Sequence, residues 1–274
     1  MNYPLLTSDE LARYFHRIGY QSNPGANLQT LQQLHRRHPQ AIAFENLDSW
    51  CGHTPSLAPD KVFDKLVCRR RGGYCFEQNQ LLLRVLLSLG FRVHTLAARV
   101  LLPDRHMPRT HKVLLVEIGK SQWLADVGFG GMTMTAPLEL QHAAPQTTPH
   151  ESWRLQPVDD EFEVNAWVDA AWSPKFRFAL TRQIAEDYEM ANWVVANHPA
   201  SRFRHELIAA RPDSTGRYAL LNTRLSYHHQ GQPSRHSDLQ SPADVLHSLQ
   251  QVFGIDTQGV DGLEQRIARL FTPS

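Results

Sequence analysis

The segment Phe76 to Leu89 constrains this chain most. Its only charged residues are Glu77 and Arg84, and at helical spacing Leu81, Leu82, Leu83, Val85, Leu86, Leu87 and Leu89 surround the axis. A helix apolar on every side must be enclosed by other elements. Its start is equally telling. Arg71-Gly72-Gly73-Tyr74-Cys75-Phe76-Glu77-Gln78-Asn79 leads the chain through two glycines, which permit a tight entry, to a cysteine directly before the apolar run. Unpaired amides and the positive dipole end at that position favour thiolate over thiol, so Cys75 is placed to be a nucleophile. A lone cysteine at a helix start is more often structural. The case for Cys75 therefore depends on what the rest of the chain supplies.

Three helices precede this one. Thr7-Ser8-Asp9-Glu10 has capping-box spacing, Leu11, Tyr14, Phe15 and Ile18 form a stripe, and Gly19 stops it. A second helix runs from Asn27 as cap through Leu28, Leu31 and Leu34 and ends near Pro39; a third covers Pro59 to about Arg69 and buries Val62, Phe63, Leu66 and Val67. Beyond Gly90 the character changes. Phe91 to Leu102, His111 to Ile118 and Gln122 to Phe129 read as strands, as do Ser152 to Pro157 and Phe162 to Trp167 after an exposed loop at Gln141 to Pro149. A helix over Glu186 to Val195, a strand or hairpin arm over Tyr218 to Tyr227 and a helix over Ser241 to Phe253 complete the pattern.

At 274 residues, two or three subdomains sharing interfaces are expected. The net charge of +1, with no basic block beyond Arg69-Arg70-Arg71, argues against nucleic acid as the main partner and leaves an anionic small molecule open. Cys51, Cys68 and Cys75 show neither an even count nor CxxC spacing, so neither a disulfide framework nor a thiolate metal site is indicated, and a reducing cytoplasm fits. The segment Met1 to Glu10 lacks the features of a secretory leader, and no apolar run is long enough to span a bilayer. Among the histidines, His228-His229 and His35/His38 lack HExxH or a companion carboxylate motif, so solvated surface is the default and no metal is expected. Gly128-Phe129-Gly130-Gly131 is too short for a dinucleotide fingerprint. It suits either close backbone approach to a ligand or a structural bend.

Thiolate chemistry needs a base, and the base works best when a carboxylate fixes its orientation. His111 and Asp126 lie on two strands joined by Gly119-Lys120. If those two residues form the turn, Val113 opposes Asp126 and His111 opposes Gly128, which puts His111 and Asp126 on one face as diagonal neighbours about 7–8 Å apart at most. A three-residue loop would reverse the parity. Asp126 between Ala125 and Val127 is an ionised group in an apolar strand and requires a partner, either His111 or an arginine.

RGGYCFEQN at 71–79, PRTHKVLLV at 108–116 and WLADVGFGG at 123–131 resemble, in order and spacing, the nucleophile, histidine and aspartate segments of the arylamine N-acetyltransferases. YFHRIGY at 14–20, AIAFENLD at 41–48 and NWVVANHPASRF at 192–203 extend the resemblance over nearly the whole chain. It implies an α+β fold with an N-terminal helical bundle (1–90) carrying Cys75, a central β-barrel (91–195) carrying His111 and Asp126, and a C-terminal α/β lid (196–274), with the triad arranged as in papain-like proteases. It also implies a buried Glu45–Arg71 ion pair, Phe44, Phe129 and Thr110 on the arylamine side, and Gly130 and Gly131 at the cofactor. Two departures stand out: Ala43 replaces the usual proline before Phe-Glu-Asn, and Ala196-Asn197 replaces a common Ser-Thr before His198-Pro199.

The activity implied is acetyl-CoA-dependent acetylation of arylamines and arylhydrazines, and of arylhydroxylamines at oxygen, by double displacement through an acetyl-cysteine. This is a cytoplasmic role in xenobiotic metabolism. Acetyl-CoA is then a substrate and no tightly bound cofactor is expected; neither nucleic acid nor membrane is a partner, and a homodimer is compatible. Arg69, Arg70 and Lys112 offer charge for the CoA phosphates, although a solvated helix end is the better reading of the arginine run. A hydrolase with the same triad, an amide synthase acting on a tethered acyl chain and an inactive scaffold are the rival readings. The intact Cys, His and Asp disfavour the last.

Overall fold

The structure, a computed structural model, describes residues 3–272 apart from 104, 106 and 143. The first part is helical: α1 (Ser8–Ile18), α2 (Leu28–Ala41), a short strand β1 (Phe44–Glu45), α3 (Leu47–Trp50), α4 (Pro59–Phe63) continued by a π-turn (Asp64–Cys68), and α5 (Cys75–Ser88). At the start of α1, Thr7 and Glu10 cap each other, and Gly19 closes it at φ +64°. Helix α2 ends at Ala41, near Pro39 as expected, with Pro39 in its last turn and His38 held on both sides. Helix α5 is enclosed as expected. It starts one residue earlier than its apolar run, so that Cys75 is its first residue rather than the residue before it.

The middle of the chain forms β2 (Arg92–Val100), β3 (His111–Ile118), β4 (Ser121–Ala125), β5 (Leu138–Glu139), β6 (Gln146–Thr147), β7 (Ser152–Val158), β8 (Glu161–Val168) and β9 (Ala171–Arg182). They join as one antiparallel sheet in the order β5-β4-β3-β2-β9-β8-β7-β6. The gap between its two ends is spanned by Gln146, whose side chain bonds both the N–H and the carbonyl of Glu139 at 2.7 and 2.9 Å, and the sheet is nearly a closed barrel. Strand β9 carries no clear sequence signal because Pro174, Lys175 and Arg177 interrupt its alternation. Phe176 and Phe178 nevertheless fill the barrel interior, and the β8–β9 register shifts beside Pro174, where Lys175 is the extra residue on β9. Of the loop predicted as exposed at 141–149, Thr148 is buried beside His150, and residue 143 lies outside the described set.

The last part comprises α6 (Ala185–Asn197), α7 (Arg202–His205), β10 (Ile208–Pro212), β11 (Gly216–Leu221), β12 (Arg224–His229), β13 (Arg235–Asp238), α8 (Pro242–His247) with a π-turn (Ser248–Val252), and α9 (Leu263–Arg269). Its antiparallel sheet, β1-β10-β11-β12-β13, takes β1 from the helical part. The architecture is thus α+β: helical bundle, barrel and α/β lid.

Strand β3 is buried on both faces. Val113 and Leu115 point into the barrel, whereas Leu114 and Val116 pack on the helical core that contains α5. This alternation decides the fate of the two residues before them. His111 follows the barrel parity and Lys112 the helix parity. Gly119 (φ +60°) and Lys120 are the two turn residues, and Leu114 pairs with Ala125 and Ile118 with Ser121, which is the register required for His111 and Asp126 to share a face.

Candidate active site

Cys75 opens α5, where the first amides of a helix have no partner within it. Three contacts fix that end. Glu77 Oε2 accepts the Tyr74 N–H at 3.2 Å; Gln78 Nε2 donates to the carbonyls of Ile42, Ala43 and Gly73; and the Tyr74 hydroxyl bonds Asn192 of α6. The glycines are required by close approach. A Cβ on Gly72 would stand 2.2 Å from the Ala43 carbonyl oxygen, and one on Gly128 would stand 2.7 Å from Cys75 Cα. The loop after β4 therefore lies directly against the start of α5.

His111 Nε2 donates to Asp126 Oδ2 at 2.6 Å, which leaves Nδ1 as the nitrogen free for the thiol. Both residues are buried. Burial disfavours the imidazolium, but the Asp126 charge and hydrogen bond outweigh it, with Cys75 adding in the same sense, and push His111 up to about 10. Burial likewise works against the Asp126 carboxylate, which His111, Asn79 and the Gly128 amide hold below its ordinary range. No arginine is the partner of Asp126; among its described contacts, the imidazole takes that place. The Cys75 thiol lies 3.8 Å from the Thr110 carbonyl.

Residues beyond the predicted set hold this arrangement. Asn79, one turn after Cys75, donates to Asp126 Oδ1 at 2.8 Å and to the Lys112 carbonyl at 2.7 Å, and accepts from the Val127 amide at 3.0 Å. It ties α5, β3 and the loop after β4 together through one amide. His35 and His38, expected on solvated surface, are fully buried. His35 Nε2 accepts the Asp126 amide at 3.0 Å, and burial pushes its pKa down to about 4, keeping it neutral. His38 bridges Tyr14 and Gln78 at 2.9 and 2.7 Å. Two signals were readable in the sequence: Asn79 stands at i+4 from Cys75, and the two histidines fall on the apolar stripe of Leu31 and Leu34.

Beneath the site, Arg71 Nη2 lies 2.8 Å from Glu45 and 2.9 Å from Asp48, and Lys65 Nζ lies 2.6 Å from both Asp48 and Glu77. Burial pushes the Glu77 carboxyl up to about 7, against the pull of Lys65. Lys112 is no surface charge for a phosphate. Its side chain is buried on the α5 side of β3, bonded to Gln80 and 4.5 Å from the Tyr188 ring centre, and burial pushes the ammonium down to about 7. Arg69 and Arg70 remain exposed.

Aromatic rings frame the thiol. Phe44 and Tyr74 form a buried cluster with Cys75, and Phe203 joins them at 6.1 and 5.9 Å between ring centres. Phe129, half-buried, meets the His111 ring at 5.2 Å. Gly130, at φ +94°, has the Phe44 ring 3.6 Å from where a Cβ would be, and its amide donates to Thr133 Oγ1; Gly131 adjoins open space. Among the described residues no helix is long and apolar enough to cross a membrane.

The family model described as N-acetyltransferase matches residues 27–261. An arylamine N-acetyltransferase from Escherichia coli (strain K12) is 40% identical over 255 residues, 92% of this chain and 89% of the relative. An arylamine N-acetyltransferase / N-hydroxyarylamine O-acetyltransferase from Salmonella typhimurium is 38% identical over 254 residues, 91% and 90% of the two chains. The structure of Mycobacterium marinum arylamine N-acetyltransferase in complex with CoA superposes with a TM-score of 0.91 at 37% identity, covering 96% of this chain and all of that one. This chain therefore belongs to the arylamine N-acetyltransferase family and is an acyltransferase.

Proposed function

We propose that the protein transfers an acetyl group from acetyl-CoA to arylamines and arylhydrazines by double displacement on Cys75, with His111 as base and Asp126 as its orienter. The observation that carries this reading is the 2.6 Å contact of His111 Nε2 with buried Asp126, at the mouth of which α5 presents Cys75. In this reading the nucleophile is the Cys75 thiolate paired with protonated His111, whose pKa is pushed up to about 10 by Asp126 against burial. The thiolate attacks the thioester carbonyl; the C–S bond to CoA breaks, and His111 Nδ1 delivers the proton to the departing CoA sulfur. Exchange of one thioester for another is close to neutral in energy. We assign the Cys75 N–H, free of partners within α5, as one oxyanion donor.

In the second half the amine nitrogen attacks the acetyl-cysteine, His111 accepts its proton, and the Cys75 sulfur leaves as thiolate. Arylamines are weak bases and are uncharged nucleophiles at neutral pH, whereas aliphatic amines are mostly protonated. Phe44 and Phe129, with Phe203, give such a ring apolar faces to lie against. We assign Thr110, whose carbonyl lies 3.8 Å from the thiol, to the acceptor, and Gly130, which lies against the Phe44 ring, with Gly131, which adjoins open space, to the donor. The same attack through oxygen would acetylate arylhydroxylamines, a reading supported by the activity named for the Salmonella relative. In this scheme residues 1–90 supply the nucleophile, 91–195 the base and its carboxylate, and 196–274 the cover over the pocket.

Intact-mass measurement after incubation with acetyl-CoA tests the scheme. The expected result is a gain of one acetyl group that an arylamine removes, with both steps lost in Cys75→Ala. A folded protein with a reactive Cys75 that gains no acetyl group would overturn the assignment of the donor. Release of acetate at the same rate with and without amine would assign a hydrolase.

A further inference from the structure

On the side of α2 turned away from the triad, Arg36 and Arg37 stand with Arg211 of β10 around a cleft of about 480 Å³ that Gln33, Gln40 and Asp213 also line. The cleft and the catalytic pocket lie back to back. In α2, His35 and His38 are buried toward the site while Arg36 and Arg37 are exposed; in β10, Ala210 packs with Phe44 and Cys75, and Arg211, one residue on, takes the opposite face.

The guanidiniums here outnumber the carboxylates, three of them sharing a cleft with Asp213, whose charge acts on Arg211. Among the described residues, none of the three lies within ion-pairing distance of a carboxylate. Arg37 gives one hydrogen bond, to the Gly19 carbonyl at 2.7 Å, and Arg211 Nε is buried with no partner. The carboxylate in the lining, Asp213, is already committed, accepting the Thr215 and Gly216 amides at 2.8 and 2.7 Å and the Tyr227 hydroxyl at 3.2 Å. The positive field extends to neighbouring Arg17, which burial pushes down to about 10 with Arg70 and Arg211 acting in the same direction. A buried guanidinium nitrogen without a partner is costly, and the exposed guanidiniums of Arg36 and Arg37 beside that of Arg211 match an anion that several planar forks can grip at once. A single carboxylate offers too few oxygens for three forks. The concavity has the size of a small-molecule site rather than of a flat interface.

We propose that this cleft binds a small polyphosphate anion of the diphosphate class, at a site separate from the acetyl-transfer centre. The proposal is independent of the acyl-transfer reading. Inorganic pyrophosphate, titrated calorimetrically into the whole protein at low salt, is the probe. Binding should weaken at least tenfold in Arg36→Gln and in Arg211→Gln, remain unchanged in Arg92→Gln, and persist in saturating CoA. Arg36 is exposed and so can be replaced without loss of the fold, which circular dichroism would verify. Pyrophosphate affinity in Arg36→Gln equal to that of the wild type, absence of binding, or displacement by CoA would each overturn the site.

Discussion

Replacing Asp126 by Asn keeps the shape of the side chain and removes the charge that His111 faces at 2.6 Å. In the native protein His111 is raised from 6.5 to about 10 although burial acts the other way. Asp126 and, in smaller part, Cys75 must therefore together supply at least the net difference, about 5 kcal/mol at 1.36 kcal/mol per pKa unit. Without it burial prevails, His111 is neutral at pH 7, and the thiolate–imidazolium pair gives way to thiol and imidazole. A free thiol is only a few per cent ionised at that pH, so iodoacetamide alkylation of Cys75 should fall about 30-fold. Single-turnover acetylation by acetyl-CoA should fall about 1000-fold, because the proton for the leaving sulfur is lost as well. The sign of the pH dependence follows from the raised pKa. The stability that His111 derives from Asp126 is fully present below about 6.5 and is lost as pH rises toward about 10, while the depressed Asp126 loses its share as pH falls below its ordinary range. The stability difference between wild type and Asp126→Asn should then be largest between about pH 4 and 6.5. A folded variant that is alkylated and acetylated within threefold of the wild-type rates would refute the reasoning.

Three other substitutions test the supporting structure. Gly128→Ala places a Cβ 2.7 Å from Cys75 Cα, and since both partners are backbone the loop must move; a loss of roughly 1–3 kcal/mol in urea unfolding and a larger loss of acetylation rate are expected. Asn79→Ala removes one of the two donors to Asp126 Oδ1, leaving the Gly128 amide, and takes the Asn79 partner from the Lys112 carbonyl and the Val127 amide, which should cost about 3 kcal/mol and raise the pKa of Asp126 in an NMR titration. Lys112→Met should stabilise the protein by roughly 1–4 kcal/mol below pH 7, since it removes a buried cation whose partner is the neutral Gln80. The ammonium is depressed from 10.5 to about 7, so wild-type stability should rise with pH across that interval, and thermal melts of Lys112→Met should lose that rise.

The features readable from sequence are those whose partners are near in the chain or face each other across a short turn. The cap of α1 is complete within Thr7 to Glu10, and the Gly119-Lys120 turn alone settles the parity that brings His111 to Asp126. Helix α5 is legible because an apolar surface on every side admits one environment. The misreadings share a cause in the other direction. By residue type Lys112 offers a charge to solvent, but strand β3 is covered on both faces, so alternation alone obliges it to lie against α5. His35 shows the limit most clearly. Its residue type and the absence of a metal motif suggest surface, whereas its apolar-stripe spacing places it inside, and the spacing prevails although only Nε2 finds a donor and Nδ1 is buried without a partner. That donor is the amide of Asp126, 91 positions away. Residue identities could therefore name Cys75, His111 and Asp126, the groups of the proposed reaction, but the neutral imidazole beneath their loop becomes visible only once α2 has been packed against it.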